Sequence, residues 1–225
     1  MNTLPDPFIE APRQPTFNLL DRIVEPENND PASVCVAVWL KEIDPKTGTI
    51  RYLLATPDEQ KRPVEALAPG GKVEKGQTLR EAAVEEVKEE VGLEIDPRGL
   101  CARAIILTTG GEPIRREGST SAQTLKSSIL NFHIVGKFPD GQTPVGNGEE
   151  MTDPRLVDFN RLPYDVMYPN DRLWGPFVLG PDITHRMSGV YSNRTGALSL
   201  IPPTDTIQQA GIKLITPPAN GARSL

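Results

Sequence analysis

The sequence is poor in several features that mark large protein classes. It has only two cysteines, Cys35 and Cys101, in 225 residues. Both fall inside apolar runs that read as strands, so two packed thiols in a reducing compartment are expected rather than a disulfide framework. Positive charge is also in deficit, with 24 Lys and Arg against 30 Asp and Glu, a net charge of -6 and an isoelectric point near 5.1. Non-specific binding to a nucleic-acid duplex or a membrane surface needs the opposite balance, so neither partner is expected. A small anionic ligand would then need a metal ion to hold it. No apolar run approaches a membrane span, and the proline-rich, acidic start lacks the basic and apolar regions of a secretion signal, which suggests a cytoplasmic protein. No internal repeat is visible, and the length suits one domain with tails better than two.

What is present concentrates in one stretch, Gly70-Gly71-Lys72-Val73-Glu74-Lys75-Gly76-Gln77, followed by an acidic segment that ends in Val91-Gly92-Leu93. Thr78-Leu79-Arg80-Glu81 has the hydroxyl-x-x-Glu spacing of a capping box. A helix over 79–91 is therefore expected, closed by Gly92 in the left-handed conformation. Leu79, Ala83, Val87 and Val91 recur every fourth residue as a buried stripe, while Glu86, Glu89 and Glu90 gather on another face. Like charges at this spacing cost roughly 0.2–0.5 kcal/mol per pair, and Glu81 and Glu85 add to the repulsion. A solvated acidic face is the plain explanation. The adjoining glycine turn favours a bound cation, because its backbone approaches closely and offers carbonyl oxygens. Such oxygens suit a hard divalent ion such as Mg²⁺ that also holds phosphate.

This loop and helix resemble the Nudix box, the signature of the Nudix hydrolases, in which a glycine, five residues, a Glu and seven residues precede Arg-Glu-apolar-x-Glu-Glu-x-Gly-apolar. Gly71, Glu86, Val87, Glu89, Glu90, Gly92 and Leu93 stand where that pattern wants them. Gln77 replaces the first Glu and Glu85 the Arg, a pair that in the family orients the ligating carboxylates. The resemblance implies that the Gly70 carbonyl, Glu86, Glu89 and Glu90 hold Mg²⁺, or Mn²⁺ in its place. It implies that Lys72 meets the substrate and that Glu89 activates water, with Glu150 as the other candidate. It also implies an α/β fold, an α/β/α sandwich in which a mixed, curved sheet lies between the box helix and a second helix near 171–179.

The rest of the chain arranges around this stretch. Residues 1–31 are proline-rich and weakly periodic, an irregular arm. Residues 33–40 are apolar on both faces, a central strand. The turn Asp44-Pro45-Lys46-Thr47-Gly48 leads into a partner strand over 50–55. Asp96-Pro97-Arg98-Gly99 reads as a turn, 100–108 as a strand and 110–126 as a polar loop, in which Arg115-Arg116 is a solvated turn sooner than a phosphate contact. Residues 129–138 form another strand, whose His133 is read as packed rather than as a catalytic base. In Gly146-Asn147-Gly148-Glu149-Glu150-Met151 the acidic pair reads equally as a solvated loop and as an approach to the metal, Glu150 matching an acid that relatives carry there. A short strand over 156–159 follows. A hairpin over 189–201 closes a domain placed at 32–202, and 203–225 is expected to be an irregular tail.

One further segment, Tyr168-Pro169-Asn170-Asp171-Arg172-Leu173-Trp174, breaks at its proline and restarts as a helix capped by Asn170 or Asp171. A cap and core aromatics would suffice to explain it. A flat aromatic face also stacks on a purine, and neighbouring carboxamide and carboxyl groups serve its edge. The segment is similar to the base-recognising segment of Nudix enzymes that hydrolyse oxidised purine nucleoside triphosphates, with Tyr168, Asn170 and Asp171 in the recognising places. The resemblance implies a pyrophosphohydrolase that releases a monophosphate and pyrophosphate, with a small nucleotide as its partner. Two rival readings stay open. One is a Nudix pyrophosphatase for a dinucleotide or nucleotide sugar, although the Ser-Gln-Pro-Trp tract of NADH-cleaving members is absent. The other is a nucleotide-binding module without turnover, which Gln77 and Glu85 favour and the retained glutamates oppose. Nothing in the sequence sets an oligomeric state.

Overall fold

Alternating apolar side chains decide the central sheet. The computed structural model describes residues 19–28, 31–60, 62, 64–110, 128–181 and 186–217. Along them run β1 (Ile23–Pro26), β2 (Ser33–Ile43), β3 (Ile50–Pro57), α1 (Leu79–Val91), β4 (Cys101–Thr109), β5 (Ile129–Lys137), β6 (Met151–Asp158), α2 (Asp171–Val178), β7 (Met187–Ser192), β8 (Ala197–Leu200), α3 (Pro203–Gln209) and β9 (Ile212–Ile215). Seven strands make one mixed sheet in the order β6-β3-β2-β5-β4-β7-β8. β2 runs parallel to β5, with Val36 opposite Phe132, and β4 runs parallel to β7.

On β2, Val34, Val36, Val38 and Leu40 join Leu79, Ala83, Val87 and Val91 of α1 in one buried cluster. Trp39 belongs to a second cluster with Tyr52, Ile106, Trp174 and Val178. The sheet therefore lies between α1 and α2, the expected α/β/α arrangement, because its central strands are apolar on both sides. Capping chemistry sets the limits of α1. Thr78 Oγ1 accepts from the Glu81 N–H at 3.2 Å, Glu81 Oε2 accepts from the Thr78 N–H at 2.8 Å, and Gly92 takes φ 68°.

The terminal segments are not irregular throughout, contrary to the expectation for 1–31 and 203–225. β1 and β9 pair antiparallel with Val24 opposite Leu214, and Leu20, Ile207, Ala210 and Ile212 complete the core on the α1 side. Elements of four and seven residues are too short to show a period. They form because the core supplies the burial that local propensity does not. Pro203 sits in the first turn of α3, where a missing N–H breaks no helical bond. Limits drawn at 32 and 202 thus pass through packed structure. β6 begins at Met151, earlier than the apolar run at 156–159 suggests, because an edge strand paired to β3 alone tolerates polar residues. Arg115, Arg116 and the residues before Leu19 lie outside the described residues. Cys35 and Cys101 are free thiols, half-buried rather than fully packed. Among the described residues no helix is long and apolar enough to cross a membrane.

Ile212→Ala tests the packing of the tail. Ile212 is 3% exposed, and deleting a buried isoleucine side chain costs about 2–5 kcal/mol. Urea unfolding should show that loss as a lower midpoint, whereas an unchanged midpoint would mean that β9 is a mere appendage.

Candidate active site

The glycines of the loop are required by how closely it lies on β2. β3 pairs with β2 only over Lys41, Glu42 and Ile43, and beyond that point residues 69–73 take its place. Val38 N donates to Pro69 O at 2.7 Å, Val36 N to Gly71 O at 2.9 Å and Val73 N to Val34 O at 2.9 Å. A Cβ on Gly70 would stand 2.1 Å from the Val36 carbonyl oxygen, and one on Gly71 would stand 2.2 Å from Glu86 Oε1. Any side chain would push the loop off the strand or the glutamate off the loop.

The acidic face of α1 is not uniformly solvated. Glu89 is exposed and Glu86 half-buried, while Glu90 is 0% exposed. Gly70 N donates to Glu90 Oε2 at 2.7 Å, and Arg62 Nη2 donates to Glu90 Oε1 and to the Gly70 carbonyl, each at 3.0 Å. Burial raises Glu90 above the ordinary carboxylate range, opposed by the Arg62 charge and the Gly70 N–H. Glu86 is pushed up to about 7, chiefly by burial and then by the Glu90 charge, with Arg62 opposing and Glu89 and Glu150 adding to the rise.

Glu150 comes to this field through its loop. Val145 N donates to Val91 O at 2.9 Å and Asn147 N to Glu90 O at 3.1 Å, which ties the loop to the end of α1. Asn147 Oδ1 then accepts the backbone N–H groups of Glu149, Glu150 and Met151 at 3.1, 2.9 and 3.1 Å. The donor set, one carbonyl and four carboxylates under mutual repulsion, fits a hard divalent cation. Among the described residues, however, no three His, Cys, Asp or Glu side chains are already gathered as a ligand group. Arg62 meanwhile supplies the positive charge to Glu90 and Gly70.

The two altered box positions still meet, since Gln77 Nε2 donates to Glu85 Oε2. An amide-to-carboxylate hydrogen bond thus joins the two positions at which the Nudix box carries Glu and Arg. Arg80 is engaged elsewhere, with Asp21 at 2.5 Å and with the Pro97 carbonyl. Lys72 is exposed and does not border the cavity described next. Steadying Glu90 falls to Arg62, which no periodicity or motif in Glu59-Gln60-Lys61-Arg62 marks out.

A cavity of about 210 Å³ adjoins the same glycines and extends to Tyr168, Pro169, Asn170 and Asp171, with Asn131 and His133 of β5 also lining it. Asn170 does not cap α2 with its side chain; its Nδ2 is turned instead to Thr108 Oγ1 at 3.5 Å. Asp171 is 3% exposed and is pushed up to about 7 by burial, against the Trp174 side chain and a backbone N–H at Tyr168. His133 is as deeply buried. Its ring lies 3.9 Å from that of Trp174, tilted by 39°, and its Nδ1 accepts from Trp39 Nε1 at 3.4 Å. Desolvation pushes His133 down to about 3, so it is neutral at physiological pH and is no base at the glutamates.

Fold and site together define an α/β/α sandwich with a glycine loop and glutamate helix on one face of its sheet and an aromatic-walled cavity reaching the other. The model of the NUDIX domain matches residues 36–174, and the chain belongs to that family. It is 27% identical over 111 residues to the oxidized purine nucleoside triphosphate hydrolase of Mus musculus, covering 49% of this chain and 60% of that protein. It is 25% identical over the same length to the protein of that name from Danio rerio, with the same coverage. The chain thus spans 60% of the length of these curated relatives. The crystal structure of the mutator MutT protein from Bacillus halodurans shares the fold, with a TM-score of 0.51 and 18% identity over 83% of this chain and 99% of the other.

Arg62→Ala should unmask the buried carboxylate. Removing one partner of a buried pair costs about 3–5 kcal/mol, and less here because Arg62 is partly exposed. Arg62 favours the ionised form of Glu90, so the stability it contributes is present at pH 8 and is lost as falling pH protonates that carboxyl. Thermal unfolding without divalent metal should show the variant well below the parent at pH 8 and closer to it at pH 5. A gap independent of pH would mean that Arg62 acts by packing alone.

Proposed function

We propose that this chain is a Mg²⁺-dependent pyrophosphohydrolase for purine nucleoside triphosphates, those with oxidised bases included, releasing monophosphate and pyrophosphate, with Mn²⁺ able to replace Mg²⁺. One observation carries the reading. Gly70 and Gly71 border the cavity that holds Tyr168, Asn170 and Asp171, and the same glycines touch Glu90 and Glu86. A base against Tyr168 would therefore leave its phosphates at the carboxylates. The curated relatives' names support the same substrate class.

In this reading the Gly70 carbonyl, Glu86, Glu89 and Glu90 hold the metal ion, which when bound offsets phosphate charge and favours deprotonation of an attacking water. Glu89, exposed beside them, takes the proton from that water, with Glu150 as the second candidate. Lys72, free to reach out from the loop, meets the outer phosphates. Arg62 must share or yield Gly70 O and Glu90 when the cation enters. At the base, Asn170 presents a fixed amide. Asp171 changes near neutrality from donor below about 7 to acceptor above it, so the preferred base edge should change with pH.

Three product patterns separate this reading from its rivals. Pyrophosphate from purine triphosphates, lost in Glu89→Gln/Glu90→Gln with circular dichroism unchanged, supports it. Two monophosphates from a dinucleotide would assign another Nudix reaction, and tight binding without turnover would leave a binding module.

The base contacts give a second test. Tyr168→Ala and Asp171→Ala should each lower kcat/KM for dGTP and 8-oxo-dGTP by about 1–3 kcal/mol, as expected for one stacking or hydrogen-bonding contact. dCTP should be a poorer substrate than either purine. Equal turnover of dCTP, with both variants at the parent rate, would reduce the segment to a helix start and core aromatics.

A further inference from the structure

One residue that lines the cavity carries a polar atom that the proposed reaction leaves without a task. His133 Nε2 is buried and, among the described residues, has no hydrogen-bond partner. A buried polar group without a partner costs free energy, so such a group beside a cavity calls for an explanation. The ring cannot turn to satisfy it. Trp39 donates through Nε1 to His133 Nδ1, and an indole N–H is a donor only, so Nδ1 must accept and the neutral ring carries its hydrogen on Nε2. Protonating Nδ1 would set two donors against each other. Trp174 lies tilted against the imidazole and packs edge-on against Trp39 with ring centres 5.5 Å apart, which holds the orientation. His133 stands on β5 two residues from Asn131 and four from Ile129, and all three line the cavity. Asn193 borders it too, and its Nδ2 is likewise buried without a partner.

We infer that His133 is a specificity residue whose Nε2–H, fixed as a donor by Trp39, takes a ring carbonyl of the base, so that the cavity selects oxo-purines over purines lacking an acceptor there. The inference rests on the purine triphosphatase reading above and adds to it a residue and a direction of selection. The ligand group is a neutral carbonyl rather than a phosphate, because the ring lies between two indoles, where a charge would be desolvated without a counter-ion. An exocyclic amino group is refused for the opposite reason, since it would face the Nε2–H donor to donor. Unlike Asp171, this donor keeps its character across neutral pH.

The test compares dITP with the triphosphate of 2′-deoxynebularine, which has hydrogen where dITP has the 6-oxo group, and with dATP. The parent should prefer dITP to both by about tenfold to a hundredfold in kcat/KM, the range for leaving one buried donor unpaired. His133→Phe keeps a flat ring without the donor and should bring dITP to within about threefold of the nebularine nucleotide, while His133→Gln, which retains a donor, should keep part of the preference. A second readout needs no variant. His133 is one of only 2 histidines, so long-range ¹H–¹⁵N spectra of the parent can follow its ring directly. They should show the Nε2–H tautomer from pH 5 to pH 8, and its Nε2 signal should move with dIMP but not with the nebularine monophosphate. If dITP is cleaved but His133→Phe keeps the full preference and dIMP leaves Nε2 unmoved, the inference is wrong and the purine triphosphatase reading stands. If the parent neither cleaves nor binds any purine nucleotide, both fall together.

Discussion

The Glu90 carboxylate is the constraint on which the site depends. It is buried completely, and it is tolerated there because Gly70 N–H and Arg62 both donate to it. These bonds do more than satisfy a charge. They fix the end of α1 against the loop, and since Asn147 N also bonds to Glu90 O, they fix where the Glu150 loop begins. A glutamine at position 90 would keep the shape and lose the charge that holds Arg62 over the Gly70 carbonyl. Arg62 thus shapes the site as a counter-ion drawn from a different part of the chain than the altered box positions.

The sheet places the two halves of the site on opposite sides and the glycine loop joins them. Because residues 69–73 pair along β2 where β3 does not, the loop lies within the layer of the sheet, open to α1 on one side and to the cavity on the other. On the proposed reading, a nucleotide with its base in the cavity and its phosphates at the glutamates would cross the layer at that seam. Backbone without side chains is what lets the loop lie there, since a Cβ on Gly70 would stand 2.1 Å from Val36 O and one on Gly71 2.2 Å from Glu86 Oε1. Trp39, which lines the cavity, packs edge-on against Tyr52 and Trp174, and Tyr52 Oη donates to Leu179 O at 2.7 Å, which holds the end of α2 down.

What could be read from the sequence followed local chemistry. The capping box at Thr78 and the left-handed Gly92 set both ends of α1, and the apolar alternation of β2 showed a strand buried on two sides. Contacts that close only in three dimensions were not legible. Arg62 stands in a polar run with nothing to distinguish it from Lys61, yet it meets a carboxylate 28 residues away. β1 and β9 hold four residues each and become strands only by finding one another across nearly the whole described chain. Asn170 looked like a cap because Asn favours that position, but Thr108, which the sequence places on another strand, takes its amide. For His133 the sequence indicated a packed residue, and the tautomer that gives it a chemical identity comes from Trp39, 94 positions away.

Two carboxyl groups are raised to about 7 at opposite ends of this site, and their causes differ. Asp171 is raised by burial, with no like charge contributing. Glu86 is raised by burial together with the charges of Glu90, Glu89 and Glu150. A cation among those glutamates would favour their ionised forms and pull Glu86 back toward the ordinary range, as an opposite charge does at short distance. It would do little to Asp171, whose rise comes from burial, opposed by hydrogen bonds from Trp174 and Tyr168. The two titrations, overlapping without the cation, would then separate, leaving Asp171 to change near neutrality while the glutamates stay ionised. On the proposed reading, with His133 as a donor, the group at the base that responds to pH near neutrality would be Asp171, so recognition at one end would vary with pH without disturbing the charge state at the other.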